Sequence, residues 1–215
     1  MGRCIVVLGA PRSGTSCVAG SLYAMGVNMG KGFLQQGNDS NPKGYFEDLR
    51  WQKINKMVTG ERYGQGNHID DGILAKYEEL AAQCNEIPLW GIKDPRLCIT
   101  LQYIAQYLEE YRIVVVEREL EASVSSLSGH SRKNYNKKYL MGRDAARAIQ
   151  LHWLKEMEAR LLSFNGPVLR VHYEHVLHDP HGSVLDLSRF CFDGLSAKPD
   201  TKAAIGFIDP KLRHH

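Results

Sequence analysis

A short apolar strand that runs straight into a glycine-rich turn and then into a helix constrains the fold of this chain most. The segment reads CIVVLGAPRSGTS over residues 4–16. Gly9 and Gly14 have the G-x4-G spacing of a loop whose backbone N–H groups, together with the helix N-terminus, converge on an anion. The layout therefore predicts a phosphate-binding loop. An ordinary strand-turn-helix unit, in which Arg12 is incidental, is the plainer alternative.

The rest of the chain continues the alternation of strands and helices. Apolar runs with β-branched residues predict buried parallel strands, and periodic apolar positions predict helices. This alternation predicts an α/β fold, a three-layer sandwich with a central parallel sheet of the P-loop nucleotide-binding type, whose ligand lies beyond the carboxyl ends of the strands. The predicted strands are 4–8, 89–92, 113–116 and 168–171, and the predicted helices are 15–25, 48–58, 73–85, 97–107, 119–127, 143–164 and 183–192.

Two stretches show neither pattern. Residues 26–44 are rich in Gly, Asn and Lys, which predicts an irregular loop near the mouth of the site. Residues 129–142 read GHSRKNYNKKYLMG. We interpret this second stretch as a lid or an acceptor-binding loop, and a solvated extension of the preceding helix is the alternative.

Length and composition are compatible with one domain and a small ligand. A chain of 215 residues that is 43% hydrophobic can bury one core, and we predict a single domain over residues 1–215. The net charge of +3 is spread over scattered basic residues, which argues against nucleic-acid binding and favours a small anionic ligand. No apolar run has the length of a membrane span. The five cysteines lack metal-site or disulfide-framework spacing, which predicts a reducing compartment, the cytoplasm.

The loop lacks one residue that ATP-using enzymes need. A nucleoside triphosphatase carries Lys-Ser or Lys-Thr after the second glycine, whereas Gly14 is followed by Thr15 and Ser16. The positive charge stands at Arg12 instead, inside the turn, where it could reach a bridging oxygen and the group being transferred. No strand-end acid is arranged as an obvious magnesium ligand and no His/Cys cluster is present, so the sequence requires no metal.

The motif PRSGTS after a strand resembles the 5′-phosphosulfate loop of the sulfotransferase superfamily, particularly its tyrosylprotein and bacterial PRSGT branches. The resemblance implies a co-substrate, 3′-phosphoadenosine 5′-phosphosulfate (PAPS). It also implies that Arg12 contacts the sulfate and the leaving phosphate, while Ser13, Gly14, Thr15 and Ser16 surround the 5′-phosphate.

PAPS carries a 3′-phosphate, so the chain needs a second anion pocket about a nucleoside length from the first. Arg118 stands at a strand end and offers a bidentate fork, and Ser126 follows eight residues later. The run RELEASVSSL resembles the 3′-phosphate motif of the superfamily. A surface salt bridge from Arg118 to Glu117 or Glu121 is the alternative. Of the two candidates beyond Ser126, His130 and Arg132, we choose Arg132.

Transfer to a hydroxyl needs a base and cations near the transferred group. The segment NPKGYFE resembles one common in bacterial sulfotransferases, and its Glu47 is the candidate base. The alternative is that Glu47 and Asp48 only stabilise a helix N-terminus through the helix dipole. Lys93 resembles the lysine of the KDP segment that stabilises the transition state, with Asp94 and Arg96 as orienting or acceptor-binding partners. Pairing of Lys93 with Asp94 is the plainer alternative.

The carboxyl-terminal third adds three binding candidates. The segment that begins YE resembles the sulfotransferase segment whose tyrosine lies against the cofactor, which makes Tyr173 a binding candidate and core packing its alternative. Lys211 and Arg213 are basic residues of the tail, and the resemblance implies that such a segment closes over the 3′-phosphate.

The sequence therefore predicts a sulfotransferase that passes the sulfuryl group of PAPS to a hydroxyl or amine and releases adenosine 3′,5′-bisphosphate. In this prediction Glu47 takes the acceptor proton, while Arg12 and Lys93 stabilise the transferred group. The acceptor class stays open between a small molecule, a carbohydrate and a peptide. The alternatives are a kinase that uses ATP and magnesium, and a catalytically silent nucleotide-binding module.

Overall fold

Four parallel strands form the centre of the molecule. The computed structural model describes residues 2–31, 41–60, 67–134 and 141–212, with side chains for all of these except 130–134 and 212. The strands are β1 (Arg3–Leu8), β2 (Leu89–Lys93), β3 (Glu110–Glu117) and β4 (Val168–His172), and their order in the sheet is β2-β1-β3-β4.

Nine helices lie in the described part of the chain, with 3-10 turns at Ala105–Tyr107 and Pro210–Leu212. The helices are α1 (Thr15–Ala24), α2 (Leu49–Thr59), α3 (Asp71–Asn85), α4 (Leu97–Ile104), α5 (Leu120–Asn134), α6 (Arg143–Leu162), α7 (Tyr173–His178), α8 (Pro180–Phe192) and α9 (Thr201–Phe207).

The sheet is covered by helices on both faces. Successive side chains of a strand point to opposite faces, and in β1 the residues Cys4, Val6 and Leu8 pack in one core with α2, α3, α4 and α6. Ile5 and Val7 pack in a second core with α1, α7, α8 and α9. All six residues of β1 are buried, as expected for the centre of a parallel sheet. The predicted three-layer α/β sandwich is confirmed.

Helix boundaries agree best with the predictions where a long periodic run defines them, as in α6. Helix α8 begins at Pro180, three residues before the predicted start, because Asp179 accepts from the Gly182 N–H at 2.9 Å and proline suits the first helical position. Helices α7 and α9 are not predicted, because six and seven residues span too few turns to show periodicity.

The two stretches predicted as irregular differ in outcome. Helix α5 runs to Asn134, so the first part of the stretch 129–142 is helical, as the helix-extension alternative expects. Residues 135–140 of that stretch and 32–40 of the other lie outside the described residues.

The order of the strands creates a ligand-binding position at the carboxyl ends of β1 and β3. The chain passes from β1 to β2 on one side and then returns to β3 on the other side of β1, so β1 and β3 flank a topological switch point, where parallel sheets bind ligands at their carboxyl ends. The register aligns these ends, because Val7 pairs with Lys93 and Glu117 pairs with His172.

Further properties concern the chain as a whole. All five cysteines are free thiols. Among the helices of the described ranges, none combines the length and apolarity that crossing a bilayer requires. The assignment of residues 1–215 to one domain stays a prediction.

Candidate functional site

A cleft lies where the four strands end, and each strand delivers part of its lining. The glycine turn follows β1, Lys93 is the last residue of β2, Arg118 follows β3 directly, and Tyr173 follows β4 directly. The sheet therefore brings residues that are more than 150 positions apart into one site.

The turn after β1 is fixed by backbone conformation and by close packing. Gly14 precedes α1 with a φ of 93°, and Arg12 has a φ of 69°, a conformation that non-glycine residues adopt at a cost of about 1–3 kcal/mol and mainly at functional sites. A Cβ atom on Gly14 would lie 2.2 Å from the Tyr173 ring, and one on Gly9 would lie 2.8 Å from the Val116 carbonyl oxygen. Gly14 is therefore required by its backbone conformation and by its contacts, and Gly9 by its contacts.

The N-terminus of α1 has features that favour an anion beside it. Its cap residue, Gly14, provides no side-chain hydrogen bond, and the first turn contains no acidic residue. The first N–H groups of a helix have no carbonyl partner within the helix, and the helix dipole adds partial positive charge there. Thr15 and Ser16 of this turn line the cleft.

Arg12, Ser126 and Arg118 are joined to each other. Arg118 Nη1 donates to the Arg12 carbonyl at 3.0 Å, and Arg12 Nε donates to Ser126 Oγ at 3.1 Å. Arg118 thus contacts the loop itself, and the expectation of a pocket about a nucleoside length away is wrong for its guanidinium. The physical reason is that both phosphates of a 3′,5′-bisphosphate are attached to one ribose unit, at C3′ and C5′ with only C4′ between them, so two adjoining pockets suit it.

The Arg118 guanidinium is almost fully buried. Its side chain is 4% exposed, its Cζ lies 5.2 Å from the centre of the Tyr173 ring, and its Nε lies 3.6 Å from Glu174 Oε1. The alternative expected a salt bridge to a glutamate near Arg118 in sequence. Glu117 instead pairs with Arg170, and Glu121 pairs with two arginines of α6.

At the other end of the cleft Glu47 and Lys93 form a buried ion pair. Lys93 Nζ donates to Glu47 Oε1 at 2.8 Å, and these side chains are 3% and 8% exposed for lysine and glutamate. Gln52 of α2 donates to Glu47 Oε2 at 2.8 Å. Lys93 also reaches Ser16 Oγ, at 3.2 Å. Lys93 therefore pairs across the cleft, and not with Asp94, its neighbour in sequence.

Glu47 and Asp48 have different roles in the local structure. Asp48 is the N-cap of α2, where its side chain accepts from the Arg50 N–H at 2.9 Å, which is the function that the helix-dipole alternative assigned to the acidic pair. Phe46 directly before Glu47 has a φ of 54°. Glu47 is thus left to line the cleft.

Behind Lys93 lies a buried polar network that ends at Asp94. Asp94 Oδ1 accepts from the Arg96 backbone N–H at 2.9 Å and from its guanidinium at 3.2 Å, and Asn55 donates to Asp94 Oδ2 at 3.0 Å. Tyr77 in turn donates to Asn55 at 2.8 Å. Burial raises the pKa of Asp94, and the nearby Glu47 carboxylate raises it further. Asp94 and Arg96 are thus held together behind Lys93, and their orienting or acceptor-binding role stays a prediction.

Several residues of the cleft were not singled out from the sequence. Lys43 and Tyr45 belong to the quoted NPKGYFE segment, which was a usable signal, whereas Phe207 comes from the unpredicted α9. Lys43 Nζ lies 4.8 Å from the centre of the Phe207 ring. Cys17 also lines the cleft, but burial raises the pKa of its thiol to about 11 despite the opposing charge of Lys43, which disfavours the thiolate at neutral pH.

The remaining predicted site residues differ in their position relative to the cleft. Ser13 is buried against Gly9, and its Oγ has no hydrogen-bond partner among the described residues. Lys211 is exposed, and it is not among the described residues that line the cleft. The side chain of Arg132 and the whole of Arg213 lie outside the described residues. All the assigned roles stay predictions.

A metal site is not evident in the described ranges, where no group of three or more His, Cys, Asp or Glu side chains could hold an ion.

A parallel sheet with a glycine turn at a helix N-terminus and with cations at its strand ends defines an α/β protein of the P-loop type that is built to bind an anionic group. The family model described as "Sulfotransferase family" matches residues 4–197, and the chain belongs to this family. The predicted enzyme class, a sulfotransferase, is confirmed. No curated protein sequence matches the chain significantly.

Solved structures of sulfotransferases are similar to this chain in fold. Sulfotransferase STF1 from Mycobacterium tuberculosis H37Rv is 17% identical, with a TM-score of 0.58 over 96% of this chain and 71% of that chain. STF9 from Mycobacterium avium is 14% identical, with a TM-score of 0.60 over 100% and 68%. The sulfotransferase domain of the Synechococcus PCC 7002 olefin synthase is 16% identical, with a TM-score of 0.59 over 99% and 86%. At these identities the likeness shows the fold alone.

Proposed function

We propose that this sulfotransferase uses PAPS as its donor and passes the sulfuryl group to an acceptor hydroxyl or amine. One observation carries the proposal. The glycine turn and the Arg118 guanidinium line the same cleft and are joined by a hydrogen bond of 3.0 Å from Arg118 Nη1 to the Arg12 carbonyl. An anion site made of backbone amides thus adjoins one made of a buried arginine.

The residues fit a donor that carries phosphates at its 5′ and 3′ positions. The uncapped N-terminus of α1, with no acid in its first turn, suits the 5′-phosphate. Arg118, whose planar fork matches phosphate oxygens, suits the 3′-phosphate, with Ser126 in contact with Arg12 beside it. Tyr173 packs against both Gly14 and Arg118. ATP-binding loops depend on a lysine after the second glycine, whereas this loop has Thr15 after Gly14.

Each catalytic group of the cleft has its own role in the transfer. PAPS, when bound, supplies a sulfuryl group that is activated by its anhydride bond to phosphate. Glu47 accepts the proton of the acceptor hydroxyl or amine on its carboxylate. Lys93, which lies between Glu47 and Ser16, stabilises negative charge on the transferred group, and Arg12 stabilises charge on the bridging oxygen. Gln52 keeps the Glu47 carboxylate in place.

The acceptor class and the compartment belong to the proposal as well. We infer a small-molecule, carbohydrate or peptide acceptor that enters beside Lys43, Tyr45 and Phe207, the side chains that line the cleft next to Glu47. The five free thiols support a reducing compartment, the cytoplasm.

A ligand panel followed by a transfer assay tests the proposal. Thermal shift with PAPS, adenosine 3′,5′-bisphosphate, ATP and ADP, each with and without magnesium, should show stabilisation by the first two without a magnesium requirement. Labelled sulfate from PAPS should then reach at least one acceptor of a profiling library. Stabilisation by ATP with magnesium alone would instead support a kinase. Binding of PAPS without transfer to water or to any acceptor would support a silent module.

A further inference from the structure

Arg118 lines a second depression in addition to the cleft. This groove, which we call the Glu174 groove, is lined by Arg118 together with Glu117, Glu119, Glu174 and three histidines that include His172. Three carboxylates beside an arginine that is proposed to bind a phosphate are unexpected, because each would repel the phosphate.

Two of the three carboxylates are engaged elsewhere. Glu117 forms ion pairs with Arg170 and with His172. Glu119 accepts from two backbone N–H groups at the start of α5, at 3.0 and 2.7 Å. Each therefore has a structural partner that does not involve Arg118.

Glu174 differs from both. Within the described part of the chain its one ion pair is with Arg118, where Oε1 lies 3.6 Å from Nε, and no hydrogen bond joins the two atoms. The Glu174 side chain is 34% exposed, whereas that of Arg118 is 4% exposed. A buried guanidinium without an anion is costly, and the Glu174 carboxylate provides its countercharge. Its Oε1 is buried but accepts no hydrogen bond, and the side chain is 34% exposed, so the carboxylate can still move away.

We propose that Glu174 is a specificity-determining residue of the donor site, whose carboxylate holds Arg118 until the 3′-phosphate replaces it. This inference rests on the proposed function. The Tyr173 ring and the Arg12 carbonyl keep the guanidinium in place, so the exchange changes the partner of Arg118 and not its position. A phosphate carries more charge than a carboxylate and can bind the fork with two oxygens, which favours the exchange when the donor is present.

The exchange sets how tightly the 3′-phosphate is held. Glu174 competes with the phosphate for Arg118 and repels it at close range, so it weakens the binding of PAPS and of the bisphosphate product by the same contact. Ligands without a 3′-phosphate leave the ion pair intact and are indifferent to Glu174. The residue thereby prevents the product from remaining bound after each turnover.

Calorimetry with two ligands and two proteins tests this inference. The proteins are the wild type and Glu174→Gln, which keeps the shape of the side chain, and the ligands are adenosine 3′,5′-bisphosphate and adenosine 5′-monophosphate. We expect Glu174→Gln to bind the bisphosphate about tenfold more tightly, which corresponds to about 1.4 kcal/mol, and to bind the monophosphate within about twofold of the wild type. The dissociation rate of the bisphosphate should fall in parallel. Glu174→Ala should give the same pattern.

Glu117→Gln is the matched control, because it removes one charge from the same groove without touching the Arg118 ion pair. Its affinities should stay within about twofold of the wild type for both ligands. Equal gains for both ligands in Glu174→Gln, no gain for either, or a tenfold gain in Glu117→Gln would each overturn the role of Glu174. A wild type that binds the bisphosphate no better than the monophosphate would overturn the proposed 3′-phosphate pocket itself, and the inference with it.

Discussion

The two ends of the cleft hold their charges in different ways. At the loop end, which comprises Gly14, Arg118 and Tyr173, the guanidinium donates to a backbone carbonyl and packs on an aromatic ring. At the carboxylate end, which comprises Glu47 and Lys93, two buried side chains neutralise each other at 2.8 Å. Lys93 also contacts Ser16 and so joins the two ends.

This difference predicts which measured quantity, donor affinity or turnover and stability, changes when each end is altered. Backbone amides and a helix N-terminus bind an anion whatever side chains surround them, so substitutions at the loop end should change affinity by removing one contact among several. The buried pair at the carboxylate end has no such redundancy, and breaking it leaves one charge uncompensated. Substitutions there should change turnover and stability and leave donor affinity nearly unchanged.

The largest effect is expected for Glu47→Gln. The amide keeps the shape of the side chain but cannot accept the acceptor proton, so turnover should fall by about 10²–10⁴-fold. The donor dissociation constant should stay within about threefold when measured by calorimetry. Glu78→Gln, the same change at an exposed position of α3, is the control and should keep wild-type turnover. Full activity of Glu47→Gln would remove Glu47 as the base.

Lys93→Met comes next. Methionine fills a similar volume without the charge, so loss of a cation at the transferred group should lower turnover by about 10²–10³-fold, with little change in donor affinity. Single-turnover kinetics and calorimetry separate the two quantities.

The double variant Glu47→Gln/Lys93→Met sharpens the comparison through stability. Each single variant leaves one buried charge unpaired, which costs about 3–5 kcal/mol, whereas the double variant leaves none. Urea denaturation should therefore show a smaller loss for the double variant than the sum of the single losses. Strictly additive losses would mean that the two side chains do not depend on each other.

The loop end was largely predictable from the sequence. Gly9 and Gly14 have the spacing of a phosphate-binding loop, and they follow a buried strand. Lys93, Arg118 and Tyr173 each follow a predicted strand, and the ends of parallel strands meet at one edge of a sheet. Knowing the strands was therefore enough to bring these residues together.

The carboxylate end and the partners of Arg118 could not be predicted in this way. Glu47 is 46 positions from Lys93 and comes from a loop with no strand to position it, so its contacts depend on tertiary packing. Phe207 lies on a helix too short to be read from periodicity. Arg118 pairs with Glu174 although Glu117 is nearer in sequence. Glu117 is already paired with Arg170 of β4, and no local sequence pattern predicts that pair.

A smaller effect is expected for Arg118→Ala, and it falls on affinity. Charge-assisted hydrogen bonds contribute about 1.5–3 kcal/mol, so the dissociation constant of adenosine 3′,5′-bisphosphate should rise by roughly 10–100-fold. That of adenosine 5′-monophosphate should rise much less, through looser packing of the loop at the Arg12 carbonyl. Arg118→Lys, which keeps the charge and loses the fork, should be intermediate. Equal losses of affinity for both ligands in calorimetry would exclude Arg118 from the 3′-phosphate pocket. The loop end would then no longer differ from the carboxylate end by a specific contact to the donor.

The smallest effect is expected for Tyr77→Phe, which tests whether the network behind the carboxylate end is a scaffold or part of the chemistry. The change removes the 2.8 Å hydrogen bond to Asn55 and leaves a buried acceptor unsatisfied, which should lower the free energy of unfolding by about 1–3 kcal/mol in urea. Tyr103→Phe loses a hydrogen bond of 3.1 Å to Asn67 at an exposed site and should cost less than about 0.5 kcal/mol. Because Asn55 still contacts Asp94, turnover of folded Tyr77→Phe should stay within about threefold of the wild type. A drop in turnover that approaches that of Lys93→Met would mean that proton or charge placement at Asp94 reaches the reacting groups, and the carboxylate end would then extend from the cleft to α3.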